Sequence, residues 1–478
     1  MIPLTAEQLA EVVGGDLLAG ADPAAAVDDV VIDSRRARPG SLFVALPGER
    51  TDGHAYLADA VGRGAVVCMV DGARAGEVGD TPGVAVDDCG DALLGLGRWA
   101  RDTVAPQVVA ITGSSGKTTT KDLLAAALGA SRDTVATPGS YNNELGVPLT
   151  CCALTLTSEV LVAEVGARGV GHVAALAALL RPEIAVVTMI GGAHLEQFGS
   201  LEGVAQAKGE LVEALDADGV AVLNADDRRV AALAQRTAAE VVTYGLGADA
   251  DWRAEDVTLD QRARARFRVR GLVVALPMPG AHHVGNALAA LAAADAVGVD
   301  LSAAVAGLAR ARLSPGRSAL VETPDGVTVL DDTYNANPAS MAAALRALAG
   351  MAVPGRRWAV LGRMAELGPT GVQEHERIGE LAAELGVDAL IVVGEQARPI
   401  AEAAAAAGLA DLVVVEGPAE ALSALGERLL RGDAVLVKAS RAAGLERVAD
   451  GLVSAHGSGA VVPAGWRAGP GGARGAVA

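Results

Sequence analysis

Aromatic side chains are scarce in this sequence: Phe, Trp and Tyr make up 2% of its 478 residues. Yet 51% of the chain is hydrophobic, so the apolar mass is mostly Ala, Val and Leu. That excludes an intrinsically disordered chain, which is poor in aliphatics. Cysteine is nearly as rare, at Cys68, Cys89, Cys151 and Cys152. None forms a CxxC pair, and the adjacent Cys151-Cys152 suits neither a zinc finger nor a disulfide framework. These thiols read as small buried hydrophobes in a reducing compartment. No apolar run approaches the roughly 18 residues of a membrane helix. The start, MIPLTAEQLAEVVGG, has no basic stretch before an apolar one and does not read as a signal peptide. A cytoplasmic protein, and a monomer, is expected. Positive charge is also short: 39 Lys+Arg against 58 Asp+Glu leave a net charge of −19. Such a surface repels phosphate backbones, so generic nucleic-acid binding is excluded and anionic substrates are confined to locally basic pockets.

What is present is organised in three stretches, as a length of roughly 100–200 residues per domain suggests. Residues 1–105 are mixed: a short amphipathic helix near Thr5–Val13, a turn-rich segment Asp33–His54 containing the strand pattern LFVAL, and a buried strand VVCMV (Val66–Val70). Residues 106–313 alternate strands and helices. VVAIT (Val108–Thr112), VLVAEVG (Val160–Gly166), IAVVTMI (Ile184–Ile190) and VAVLNADD (Val220–Asp227) are the strand candidates. That alternation argues for an α/β fold with a doubly wound, mostly parallel sheet. Residues 250–277 alternate polar and apolar, which suggests an antiparallel addition. Residues 314–454 form a Rossmann-like α/β unit with strands at Val327–Asp332, Trp358–Gly362, Ala389–Gly394, Leu412–Glu416 and Ala434–Ser440. No GxGxxG follows its first strand, so a dinucleotide is not indicated. Residues 455–478, rich in Gly and Ala without an acidic residue, read as a disordered tail.

The sharpest chemical signal is Thr112-Gly113-Ser114-Ser115-Gly116-Lys117-Thr118-Thr119, directly after a strand and before a helix. Glycines let backbone N–H groups close around phosphate oxygens, and the helix N-terminus adds its dipole. Lys117 would reach the β- and γ-phosphates and the Thr118 hydroxyl would ligate Mg²⁺. The loop is shorter than the common GxxxxGK[ST], whose first glycine falls on Ile111. Glu164 ends a strand of the same sheet, and ligands of such sheets sit at the strands' carboxyl ends. A hard carboxylate there suits Mg²⁺, or else caps the following helix.

This loop variant resembles that of the Mur ligases, the ATP-dependent amide-forming enzymes of peptidoglycan precursor synthesis. Asp33-Ser34-Arg35 with PGSLFVALPGERTDGH resembles the family's nucleotide-sugar-binding segment, AHLEQFGS with AKGE (Ala207–Glu210) its central metal region, and MPGAHHVGNALAALAAA the helix start closing its central domain. DDTYNANPASM, MAELG and KASRAAGLE are similar to the branch that adds D-alanyl-D-alanine to a UDP-N-acetylmuramoyl-tripeptide. The segment Gly166–His172 and Arg363 depart from the family's pattern.

The resemblance implies three domains: an N-terminal UDP-sugar-binding one, a central ATP-binding one and a C-terminal one that takes the incoming dipeptide. It implies ATP and two Mg²⁺ ions. Thr118 and Glu164 would serve one metal; His194 and Lys208, as an N6-carboxylysine, the other. Lys117, Lys208, His194 and Arg317 would be the catalytic set. Gly113–Thr119, His282, Asn286, Asp332, Tyr334 and Asn335 would bind ATP. Ser34, Arg35, Asn142, Asn143, Asn337, Lys438, Ser440 and Arg441 would meet the two other substrates. Without the resemblance, His194 reads as structural rather than as a ligand and Lys208 as a solvated helix lysine, Asn142 and Asn143 could satisfy local backbone, and Arg317 reads equally as a surface residue beside the Ser314-Pro315-Gly316 hinge. Two other classes stay open: a P-loop ATPase or GTPase switch, and an inactive binding module on the ligase scaffold. Within the family the alternative is an enzyme adding a single amino acid.

Overall fold

A computed structural model describes residues 1–48, 51–192, 195–426 and 428–455. The tail expected at 455–478 lies, beyond residue 455, outside the described residues. Packing divides the chain into two compact units. The first is Met1–Ile190 with Glu202–Trp252 and Leu288–Gly307; the second is Gly191–Leu201 with Arg253–Ala287 and the chain from Leu308 onward. Among the described residues no helix is long and apolar enough to cross a membrane.

The first unit opens with the expected short helix, Ala6–Val13. Thr5 caps it: Gln8 N donates to the Thr5 hydroxyl, and the Gln8 side chain returns to Thr5 N. A five-stranded sheet follows, ordered Asp16–Leu17, Gly83–Val86, Ala65–Asp71, Ser41–Val44, Asp29–Val31, parallel except for its first pair. Period-2 alternation sorts its side chains. Leu42, Val44, Val67 and Met69 pack with the helices Ala6–Val13 and Cys89–Val104; Phe43, Ala45, Cys68 and Val70 pack with Leu57 and Ala60. All four cysteines are buried and free, and burial pushes the Cys68 thiol up to about 12, as suits a hydrophobic role.

The same unit holds a seven-stranded sheet, ordered Trp252–Arg253, Glu240–Gly245, Val220–Asn224, Ile184–Val187, Gln107–Thr112, Val160–Glu164, Thr134–Ala136. Its six strands from Glu240–Gly245 onward run parallel. The chain leaves Gln107–Thr112 for Thr134–Ala136 and then Val160–Glu164 on one side, and later crosses to the other side at Ile184–Val187, which makes that central strand a topological switch point. The expected strand Ile184–Ile190 stops at Val187 because the next residue, Thr188, turns its polar groups to other partners.

In the second unit, Glu255–Leu259, Arg264–Val269 and Leu272–Pro279 form the expected antiparallel sheet. Arg262 bridges Met351, tying this sheet to its own unit. A six-stranded sheet follows, ordered Ala319–Glu322, Thr328–Asp331, Ala434–Lys438, Arg357–Gly362, Ala389–Val393, Leu412–Val415; its first pair is a hairpin and the rest are parallel. Leu330, Leu361, Leu390 and Leu436 fill one face, Val329, Trp358, Ile391 and Val435 the other. The α/β architecture with parallel sheets is the one read from the sequence.

Candidate active site

In the first unit the loop 113–116 leaves the carboxyl end of Gln107–Thr112, and the 12-residue helix Lys117–Leu128 starts directly after it. Gly113 has φ 148° and Gly116 φ 87°, values that other residues rarely adopt. A side chain at Gly113 would collide with the Thr188 hydroxyl. That hydroxyl donates to Ser115 O (2.6 Å), Ser114 N donates to Met189 O (2.8 Å), and Asn224 Nδ2 donates to Thr188 O (2.8 Å). The loop is therefore braced from the neighbouring strand ends. Its own amides are gathered at a helix N-terminus, an arrangement made for anions. Lys117 lies back across the loop, Nζ to Gly113 O at 2.8 Å. Thr118 and Thr119 are buried in the first turn, and the Thr118 hydroxyl stands 3.0 Å from Ser140 Oγ.

Glu164 ends the adjacent strand, level with Ile111, and is only 1% exposed. Asn142 Nδ2 donates to its Oε1 at 2.7 Å, while its buried Oε2 has no hydrogen-bond partner among the described residues. A buried carboxylate oxygen left unmatched is costly without a cation or proton donor. Beside a phosphate loop and a threonine hydroxyl, this donor set fits a hard divalent ion such as Mg²⁺. Lys208, on the helix Leu201–Glu213, is also buried. Burial, with the Lys117 charge, pulls the Lys208 amine well below the ordinary lysine range. Its helix is held on both sides: Glu210 accepts from Gly171 N (2.6 Å) and Ala174 N (2.9 Å), and Arg236 donates to Ala205 O (3.1 Å). His194, the other expected metal ligand, lies outside the described residues.

The remaining expected residues of this unit are less alike. Asn143 Oδ1 accepts from Gly146 N (2.9 Å) in a local turn. Ser34 is buried and donates to Asp59, and Arg35 forks onto Asp33 at 2.8 and 2.7 Å. Arg36, not singled out from the sequence, donates instead to Tyr141 Oη at 3.2 Å. His54, Asp71 and Cys89 are spaced like metal ligands, but Asp71 N donates to His54 Nε2 (3.1 Å) and Cys89 N to Asp71 Oδ1 (3.0 Å). Burial, with Asp71 beside it, raises the Cys89 thiol, so this group is a closed hydrogen-bond network.

In the second unit, strand ends gather another polar cluster. Asp331 pairs in register with Val437, and Lys438 with Leu361. Lys438 Nζ donates to Asp332 Oδ2 (2.6 Å) and Asn335 O (2.8 Å), and Ser318 N donates to Asp332 Oδ1 (2.9 Å). Burial works against the Asp332 carboxylate, yet the Lys438 ammonium holds it below its usual range, while burial pulls Lys438 itself down against the Asp332 charge. Arg317 stacks over the Tyr334 ring at 4.2 Å and Arg441 at 5.4 Å. His282 feels the charges of Asp332 and Lys438. Asn286 Nδ2 lies 3.3 Å from His283 Nδ1. Asn337 caps the helix Pro338–Ala349, taking Ser340 N at 2.9 Å, and Ser440 accepts from Ala365 N (2.8 Å). His375 Nε2 accepts from Met364 N (2.9 Å). Asn337, Ser440 and His375 thus lock the strand-end loops together.

Family models match most of the chain: a Mur ligase family catalytic domain at residues 27–90, a Mur ligase middle domain at 111–294, and a Mur ligase glutamate ligase domain at 316–441. A UDP-N-acetylmuramoyl-tripeptide–D-alanyl-D-alanine ligase of Mycobacterium bovis is 44% identical over 97% of this chain and all of its own length. The chain belongs to the Mur ligase family. An Escherichia coli enzyme of the same description is 38% identical over 95% of this chain and 99% of its own. A crystal structure of MurF from Acinetobacter baumannii superposes with a TM-score of 0.82 at 32% identity, covering 95% of this chain and 99% of that one. A MurF ligase of Thermotoga maritima in complex with ADP gives 0.74 at 30% identity, covering 89% and 96%.

Within this Mur ligase, the structure brings together Gly113–Thr119, Glu164, Asn142 and Lys208 in one unit and Arg317, Asp332, Tyr334, Asn335, Lys438 and Arg441 in the other. The sequence reading passed over Thr188, Asn224, Ser140 and Lys121. Each acts on a backbone group or hydroxyl far away in sequence, which no local motif displays.

Proposed function

We propose that this protein joins D-alanyl-D-alanine to UDP-N-acetylmuramoyl-tripeptide at the expense of ATP, completing the pentapeptide precursor of peptidoglycan in the cytoplasm. One observation carries the reading: a phosphate loop beside the Glu164 carboxylate, whose buried Oε2 lacks a partner among the described residues, in a chain alike over nearly its whole length to ligases of that description. Amide formation from a free carboxylate is uphill in water, so the carboxylate must be activated. The γ-phosphoryl group of ATP passes to the terminal carboxylate of the tripeptide, giving an acyl phosphate and ADP. The amine of D-alanyl-D-alanine attacks the acyl carbon, and the tetrahedral intermediate expels phosphate.

The chain's residues have distinct tasks in this scheme. The amides of 113–119 cradle the phosphates, and Lys117 swings from Gly113 O onto the β- and γ-oxygens. Thr118 and Glu164 would hold one Mg²⁺, and His194 with a carbamylated Lys208 a second; bound there, the ions neutralise phosphate charge and keep the reacting groups in line. Burial, which disfavours the charged form of the Lys208 amine, supports the carbamate, because only an unprotonated amine adds to carbon dioxide. Ser34, Arg35, Asn142 and Asn143 serve the UDP-muramoyl peptide, with Asn142 also orienting Glu164. His282, Asn286, Asp332, Tyr334 and Asn335 serve ATP, and Arg317 supplies charge to the transferring phosphoryl group. Lys438 fixes the 332–335 loop through its ion pair, and Arg441, with Asn337 and Ser440, frames the dipeptide site. The N-terminal region 1–105, the central region 106–313 and the C-terminal region 314–454 take the three substrates in that order. ADP release should require both UDP-muramoyl tripeptide and D-alanyl-D-alanine. Steady release with no peptide added would favour a nucleotide switch instead.

A further inference from the structure

The helix behind the phosphate loop carries a second lysine one turn after Lys117. Lys121 is 2% exposed, among the most deeply buried charges in the chain. It shares a helix face with Lys117 and Thr118, four and three residues earlier. Its Nζ donates to Thr137 O at 2.7 Å and Gly139 O at 2.8 Å, and pairs with Asp122 Oδ1 at 2.8 Å. Two carbonyls that flank Pro138 are thereby turned inward onto one ammonium. Replacing a buried ion pair as a whole by apolar side chains is often neutral or stabilising, so stability alone does not account for the Lys121–Asp122 pair. What an apolar side chain cannot do is fix the direction of two carbonyls.

The segment held this way is the meeting point of the site. Thr137 Oγ1 accepts from Glu164 N (2.9 Å). Ser140 stands against the Thr118 hydroxyl (3.0 Å). Tyr141 receives Arg36 from the N-terminal region (3.2 Å). Asn142 donates to Glu164 (2.7 Å), and its carbonyl takes Gly166 N (2.8 Å). Six consecutive residues thus touch the phosphate helix, the candidate metal carboxylate and the N-terminal region, and Lys121 is the buried charge at their root.

We propose that Lys121 is a positioning residue that sets the 137–142 loop against the phosphate helix, so that the muramoyl-peptide side of the site is held in register with the nucleotide side. The inference rests on the ligase reading for its kinetic expression but not for its structural one. The test is Lys121→Met, which keeps the stem and removes the donors. Two readouts are taken on the full chain: steady-state kinetics with UDP-muramoyl tripeptide, ATP and D-alanyl-D-alanine, and amide hydrogen exchange without ligands. The expected result is a KM for the tripeptide nucleotide raised roughly tenfold, a KM for ATP within about threefold, and faster exchange confined to 137–146. Lys121→Gln, which keeps one donor, should show the same split at smaller amplitude and serves if the Met variant does not fold. Unchanged tripeptide KM and unchanged loop exchange overturn the proposal. So does an equal rise in both KM values with faster exchange throughout the first unit, or failure of both variants to fold, since each marks a general core role. If the wild-type chain shows no ligase activity, the functional reading fails while the exchange data still judge Lys121.

Discussion

Lys117 brings a positive charge to the phosphate loop, and Lys208 brings to the same neighbourhood an amine whose charged form burial disfavours. These two residues carry the sharpest tests. Lys117→Ala should lower ligase turnover by roughly a hundredfold or more, the scale of losing a group that stabilises developing charge. The side chain is half-buried over the loop mouth, so the melting temperature should barely move. Turnover near the wild-type value would remove the phosphate-site assignment. Lys208→Ala should be poorly active and partly restored by short carboxylic acids, which replace the missing oxygen ligand; full activity without additives would rule out the carbamate. At this scale the sequence was legible where chemistry is local. The glycines, Lys117 and Thr118 work within one turn of chain, so a motif displays them. Lys121 and Thr188 work through carbonyls that folding brings close, and nothing in TTTK or VVTM announces it. Asn337 and Ser440 show the converse: residue types suited to substrate turn out to have their oxygens engaged by Ser340 N and Ala365 N.

Among the elements, the parallel strands were plain as β-branched runs, and the switch point followed from their order. Strand ends were harder, because a strand stops where its polar neighbours find better partners. Thr188 leaves its strand for Ser115 and Thr112, and Asp331 ends another by accepting from Thr333 N (3.1 Å) and Thr333 Oγ1 (2.6 Å). Burial pushes the Asp331 carboxyl up to about 6 in spite of those bonds. The sign follows. Between the unfolded value near 4 and the folded value near 6, the native state binds more protons, so this group lowers stability as pH rises through that window. Asp331→Asn keeps an acceptor for Thr333 and removes the charge. It should raise the melting temperature by several degrees at pH 7.5, and the gain should shrink as pH falls from 6 to 4. A gain independent of pH would show that the carboxyl is not held up by burial. At the next helix, Asn337→Ala should cost about 1 kcal/mol through the lost cap, measurable by denaturant melting.

For the whole molecule, an acidic chain with a net charge of −19 handles two polyanionic substrates and a dipeptide carboxylate, so binding must depend on cations placed one by one. Arg317, Lys438 and Arg441 gather around Tyr334 and Asp332 in the second unit, residues that the sequence divided between ATP and the other substrates. A guanidinium such as that of Arg441 suits a terminal carboxylate, and a site built to pair both ends of a dipeptide should reject an acceptor that leaves its donors unmatched. Arg441→Ala should therefore raise the KM for D-alanyl-D-alanine and leave that for ATP nearly unchanged. The central claim is the identity of the bond made. Its most direct test is mass analysis of the product formed from UDP-muramoyl tripeptide, ATP and an equimolar mixture of D-alanyl-D-alanine, D-alanine and diaminopimelate. The expected product is a tripeptide nucleotide extended by the dipeptide alone, with one ADP per bond. Preferred addition of a single amino acid would contradict it.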